Sequence, residues 1–196
     1  MQPIDLQPMS HNRLDFGPTG SLPWPMEPGL SPPMRRLSTT QIGALGEAII
    51  SVGLMHASQG RLSPFKPLAD DHGTDLLLFD KDTQRAFPLQ IKCRTGFDDQ
   101  AAQTVQFDVR LKMYVEEGDG FILAALLDQT QVHTAWLFSA REWKSLARLT
   151  PDKGVIVPSA KPTARDKFQP YRHTDLATVA QRIVQTGAQS EPAPRE

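Results

Sequence analysis

The chain predicts an α/β fold, a central mixed β-sheet flanked by helices, and three observations carry that expectation. Residues 40–54 repeat apolar side chains at spacings of three and four. Residues 121–127 form an unbroken apolar run closed by a turn signal. Between the two lie short stretches with the length and composition of strands. With 196 residues, 39% of them hydrophobic, the chain can build one ordinary domain. That domain is expected over 37–185, with its core in about 38–140.

Residues 1–36 hold eight of the 17 prolines. Proline fixes φ and lacks an amide donor, so the segment reads as an extended or disordered arm. Phe16 and Trp24 could pin it to the domain or to a partner subunit. The first helix runs from about Thr40 to Leu54, capped by Ser38, Thr39 or Thr40, with Ile42, Leu45, Ile49 and Val52 as its apolar stripe. Gly43 and Gly46 each cost about 1 kcal/mol relative to alanine inside a helix, which points to close packing against another backbone. Gly43, Glu47 and Ile50 share one helix face.

Residues 61–66 read as an edge strand interrupted by Pro64 and followed by Pro67. Residues 74–79 read as a buried strand, 80–84 as a turn and 85–93 as the returning strand, with Pro88 removing one ladder donor. Residues 103–109 alternate at period two. Phe121–Leu127 is a strand covered on both faces, and His133–Phe138 pairs with it across a turn at 128–131. Ser139 caps a helix through Leu146, and Thr174 or Asp175 caps a last helix to about Val184. Residues 186–196 are polar and read as a disordered tail.

Composition excludes several function classes. The net charge of -1 is not that of a polycation drawn to nucleic acid by bulk charge, so any such site must be a local patch. Arg61, Lys66, Lys92, Arg94, Arg110 and Lys112 are candidates for it, or else a solvated surface. The single cysteine, Cys93, allows no internal disulfide and no paired-cysteine zinc site, and it reads as a buried structural thiol. No apolar run approaches the ~20 residues that span a bilayer, and the N-terminus lacks the pattern of a secretion signal. The expectation is a soluble, cytoplasmic protein that does not engage a membrane.

Hydrophilic residues inside apolar strands carry the chemical information, because a charge buried without a partner costs several kcal/mol. Asp75 interrupts an apolar strand just after His72-Gly73-Thr74. In the returning strand Phe87, Leu89 and Ile91 face one way, and Gln90 and Lys92 the other. The turn at 80–84 folds one strand onto the next, so Asp75 is expected beside the Gln90–Lys92 pair. Alone, each residue has a plainer reading. Glu47 reads equally as a surface glutamate, Asp75 as a cap on the strand entry, and Gln90 with Lys92 as a strand edge. His72, Asp70 and Asp71 suit a polar loop, and Trp136, Phe138 and Trp143 suit a core.

Taken together, Gly43-Ala44-Leu45-Gly46-Glu47, Gly73-Thr74-Asp75 and Gln90-Ile91-Lys92 resemble the PD-(D/E)XK nuclease superfamily, with a Gln-x-Lys variant of its last motif. The resemblance covers about residues 40–140. It implies a restriction-endonuclease-like fold with a four-stranded mixed sheet, and Mg²⁺-dependent (or Mn²⁺-dependent) endonuclease hydrolysis of phosphodiester bonds in DNA. It further implies that Asp75, the Gln90 side-chain oxygen and the Ile91 backbone carbonyl bind the metal. Glu47 would bind a second ion or orient a water, and Lys92 would polarise the attacking water or offset charge on the phosphate. Hard divalent cations prefer such oxygen ligands. Two positions depart from the family pattern. Gln90 stands where an acidic residue is usual, and its neutral amide binds a divalent ion more weakly than a carboxylate. Thr74 stands where proline is usual. A homodimer is one arrangement by which such folds cut both strands.

The alternative is a decayed nuclease fold acting as a nucleic-acid-binding or assembly module. A third reading places function in the proline-rich arm as a partner-binding segment. Recognition would fall to a loop at 94–104 or to the basic run Lys153, Lys161, Arg165, Lys167 and Arg172, which reads equally as a solvated loop.

Overall fold

The computed structural model describes residues 37–69, 73–95, 104–110 and 120–189. The expected arm over 1–36, Asp70, Asp71 and His72, Lys112, most of the 94–104 loop and residues 190–196 lie outside them. The first helix, α1, spans Thr39–Ala57. Ser38 caps it reciprocally: its hydroxyl accepts from the Gln41 amide at 3.2 Å, and its own amide donates to the Gln41 side chain at 2.9 Å. The buried stripe is Gly46, Ile50 and Leu54, with Ile42 and Ile49 partly covered, whereas Val52, expected in it, is 61% exposed. A spacing of four anchored on a glycine sets the inward face, and glycine adds nothing to a hydrophobic pattern.

The strands that follow are β1 (Leu62–Phe65), β2 (Leu76–Asp80), β3 (Arg85–Thr95), β4 (Phe107–Arg110), β5 (Phe121–Asp128) and β6 (Gln131–Ser139). Helix α2 (Ala140–Leu146) comes next, then β7 (Arg148–Leu149), β8 (Lys153–Ile156), a 3-10 turn at Gln169–Tyr171, β9 (Arg172–His173) and α3 (Leu176–Gln189). Six strands form one sheet in the order β1-β2-β3-β5-β6-β9. The β3–β5 pair is parallel and the other pairs are antiparallel, so the sheet is mixed, as expected. The four strands that the resemblance implies form its centre, with β1 added at one edge and the short β9 at the other.

Two apolar layers cover the sheet. One holds Leu78, Phe87, Leu89, Ile91, Cys93 and Leu123 beneath α1 and α3. The other holds Ile122, Ala124, Leu126, Trp136 and Phe138 with Phe107, Trp143 and Ile156. Successive β5 residues serve opposite layers, which is why the strand is apolar throughout.

The structure corrects several boundaries. Residues 103–109 were expected as one strand, but only β4 forms, and it pairs with β8, not with the central sheet. It belongs to a second sheet, β4-β8-β7, whose other two strands, β7 and β8, leave no periodic signal. Asp80 was expected in a turn. It is the last residue of β2 and fully buried, because the guanidinium of Arg61 meets its carboxylate at 2.7 and 2.8 Å and Thr83 donates to it at 2.9 Å. The last helix passes Val184 and continues to Gln189, so Thr186 to Gln189 are helical. Among the described residues no helix is long and apolar enough to cross a membrane.

Candidate active site

Helix α1 can reach the sheet because it carries Gly46. A Cβ at that position would lie 2.2 Å from the Cys93 sulfur, so any other residue would push the helix off β3. Gly43 faces open space, so the close packing expected of both glycines occurs at one. The neighbouring residue, Glu47, is thereby carried to the end of the sheet where β2 begins.

There the two central strands differ in length. The ladder of β3 with β2 stops at the Leu76–Leu89 pair, while its ladder with β5 continues to Thr95. Asp75 lies just before β2. Gly73 precedes it with φ of 68°, a left-handed conformation that suits glycine. The Asp75 amide donates to the Leu89 carbonyl at 3.0 Å, and its carboxylate accepts from the Ile91 amide at 2.5 Å. A side chain thus takes the place of the next ladder bond. The N–H and C=O of a strand residue point to the same side, so the Ile91 carbonyl faces the edge on which Asp75 sits.

Glu47 and Asp75 line one cavity of about 180 Å³, together with Lys66, Pro67, Ala69 and Thr74. Lys66 donates to the Glu47 carboxylate at 2.6 Å. That bond raises the lysine pKa, and the charges of Glu47 and Asp75 add to the effect. Gln90 (5% exposed) and the half-buried Lys92 lie side by side on β3, paired with Ile122 and Ala124 of β5. They share the sheet face opposite to Leu89 and Ile91 and are not among the residues lining the cavity. The fold therefore brings Glu47 and Asp75 together, with the β3 backbone alongside, and adds a lysine that the strand pattern did not single out. From sequence that lysine reads only as one member of a basic patch or a solvated surface.

Burial, then the negative charges of Glu47 and Asp75, push the Cys93 thiol up to about 12. It is a structural thiol under α1, as expected. Three of the basic residues read from sequence as a patch or a solvated surface are each paired with a carboxylate: Arg61 with Asp80, Lys66 with Glu47, and Arg94 with Asp108 at 3.5 Å. In the later basic run, Arg172 donates to the carbonyls of Lys161 and Pro162, and Lys167 to that of Leu146 at 2.8 Å. Those two residues fasten a loop.

The donor set suits a hard cation. Mg²⁺ commonly takes one or two carboxylates and keeps several waters, and two carboxylates beside a backbone carbonyl meet that need. Among the described residues no group of three or more His, Cys, Asp or Glu side chains gathers into a metal cluster.

No protein-family model and no curated protein matches the chain. Among solved structures it is similar to a bacterial homing endonuclease, I-Ssp6803I, with a TM-score of 0.52 and 17% identity over 80% of this chain and 99% of that one. A Holliday junction resolvase, Hjc from Archaeoglobus fulgidus, aligns over 65% of this chain and 96% of its own, with 10% identity and a TM-score of 0.40, too low to carry an argument. The first likeness shows the fold: the chain has a restriction-endonuclease-like α/β core.

Proposed function

We propose that this protein is a metal-dependent endonuclease that hydrolyses phosphodiester bonds in DNA. One observation carries the reading: Glu47 from α1 and Asp75 from the entry of β2 line a single cavity beside the point where β3 outruns its neighbour. Asp75, Glu47, the Gln90 side-chain oxygen and the Ile91 carbonyl would hold Mg²⁺ or Mn²⁺. Such an ion supplies Lewis acidity toward a phosphoryl oxygen and lowers the pKa of a water.

The residues of the chain do the positioning. The Ile91 amide fixes one carboxylate oxygen of Asp75, so this acid meets a ligand without first ordering its own side chain. Lys92 would place its ammonium where negative charge grows on the phosphate, an interaction worth most as the charge develops. The likeness to a homing endonuclease favours DNA as the polymer, and a homodimer would present two such sites to a duplex. The fold likeness to a homing endonuclease supports the class of reaction. A buried, unpaired Cys93 suits a cytoplasmic protein.

The test is plasmid cleavage with Mg²⁺ or Mn²⁺ by the wild type, Asp75→Ala and Lys92→Ala. Each variant should lose about 10²-fold or more in rate, as expected for a group acting on transition-state charge. Cleavage at the wild-type rate by either variant overturns its assigned role. A second reading, a decayed fold that binds nucleic acid or assembles without cutting, draws on Gln90 standing where a carboxylate would bind metal more strongly. Calorimetry with Mn²⁺ separates the two, since a decayed site shows no binding that depends on Asp75.

A further inference from the structure

The cavity that holds the two carboxylates also holds a cation of the protein's own. Lys66 follows β1 at the outer edge of the sheet, 69% exposed, and reaches inward on its four-carbon stem to the Glu47 carboxylate. Both residues line the cavity of about 180 Å³ shared with Asp75, and both line a second of about 200 Å³ between α1 and the first strands, with Ala44, Ala48, Ser51, Pro64 and Leu76. The ion pair therefore stands between two openings. The formal charges of Glu47, Asp75 and Lys66 sum to -1, and without the lysine they sum to -2.

We propose that Lys66 is a resident counter-ion, displaced from Glu47 by an incoming divalent cation, so that its charge sets how tightly the site takes metal. The inference rests on the endonuclease reading above and assigns a role to a residue outside the family motifs. A strongly hydrated ammonium on a flexible stem suits displacement, because it regains water as it leaves. An exposed ion pair is a weak lock. A divalent cation entering the same space meets two attractive charges and one repulsive charge at a few ångströms, where Coulomb terms remain large even after screening.

The experiment is calorimetric titration of Mn²⁺ into the full chain as wild type, Lys66→Met, Lys66→Arg, Glu47→Gln, Glu47→Gln with Lys66→Met, and Asp75→Ala. Lys66→Met should bind Mn²⁺ about five- to tenfold more tightly than wild type, and the gain should shrink as KCl is raised from 0.05 to 0.5 M. Lys66→Arg, which keeps the charge, should stay near wild type. In the Glu47→Gln background the Lys66→Met gain should fall well below that in the wild type. Far-ultraviolet circular dichroism checks the fold of each variant. Unchanged or weaker binding by Lys66→Met, with Asp75→Ala still abolishing binding, overturns the counter-ion role and leaves the metal site standing. Binding that survives Asp75→Ala, or no binding by the wild type, overturns both.

Discussion

Two carboxylate–cation pairs in this protein span the same distance in sequence and do opposite jobs. Arg61 and Asp80 are 19 residues apart, as are Glu47 and Lys66. Asp80 is fully buried and accepts from the Arg61 guanidinium twice, from Thr83 and from the Asp82 amide. These donors hold its pKa at about 2, the Arg61 bond first among them. Glu47 keeps about a quarter of its side chain exposed, lines a cavity and meets a single lysine that is itself mostly in solvent. A carboxylate whose lone pairs are filled by fixed donors belongs to the architecture. One that shares a mostly solvated ammonium beside open space is poised to change partners.

The comparison breaks most visibly if Arg61 proves dispensable. Arg61→Ala strips a fully buried carboxylate of its main donors and should cost about 3–5 kcal/mol in urea unfolding. A loss under 1 kcal/mol would show that Asp80 finds other partners. Acid sharpens the contrast next. Asp80 has a folded pKa of about 2 against an ordinary carboxylate value of 3.8. A depressed carboxylate stabilises the fold above its unfolded pKa and loses that stability as pH falls toward its folded pKa. Wild type should therefore lose about 2 kcal/mol from this group between roughly pH 5 and pH 2. Asp80→Asn should lack this contribution, and equal slopes for the two proteins would refute it. The smallest effect belongs to the other pair. Lys66→Met should leave the melting temperature within about 2 °C of wild type, since an exposed ion pair adds little. A fall of several degrees would place Lys66 in the architecture with Arg61.

The same contrast explains what the sequence made legible. The strands β3 and β5 were readable because their apolar runs are long and their hydrophilic interruptions few, and Asp75 stood out for that reason. The capping of α1 by Ser38 was readable because its donors and acceptors lie within three residues. Asp80 was not, because an aspartate after an apolar stretch looks like a turn until its partner from 19 residues upstream is seen. Lys66 reads only as one basic residue of a patch or a solvated surface, because its tie to Glu47 depends on a helix 19 residues upstream. Gly46 announced close packing while Gly43, with the same residue type, did not bear it out, since the pattern of glycines carries no record of what lies opposite. β7 and β8 of the small second sheet were illegible because runs of two and four residues give a period little room to register.

The unequal lengths of β2 and β3 have an architectural consequence. Asp75 hangs from the β3 main chain where one strand stops and its neighbour carries on, and that main chain is held on its far side by β5. The hold on this carboxylate is therefore set by the sheet, whereas Lys66, Pro67, Ala69 and Thr74, which line most of the rest of the cavity, belong to the connection between β1 and β2. A change in that connection would reshape the walls of the cavity and leave the hold on Asp75 in place, a division of labour built into the carpentry of the sheet.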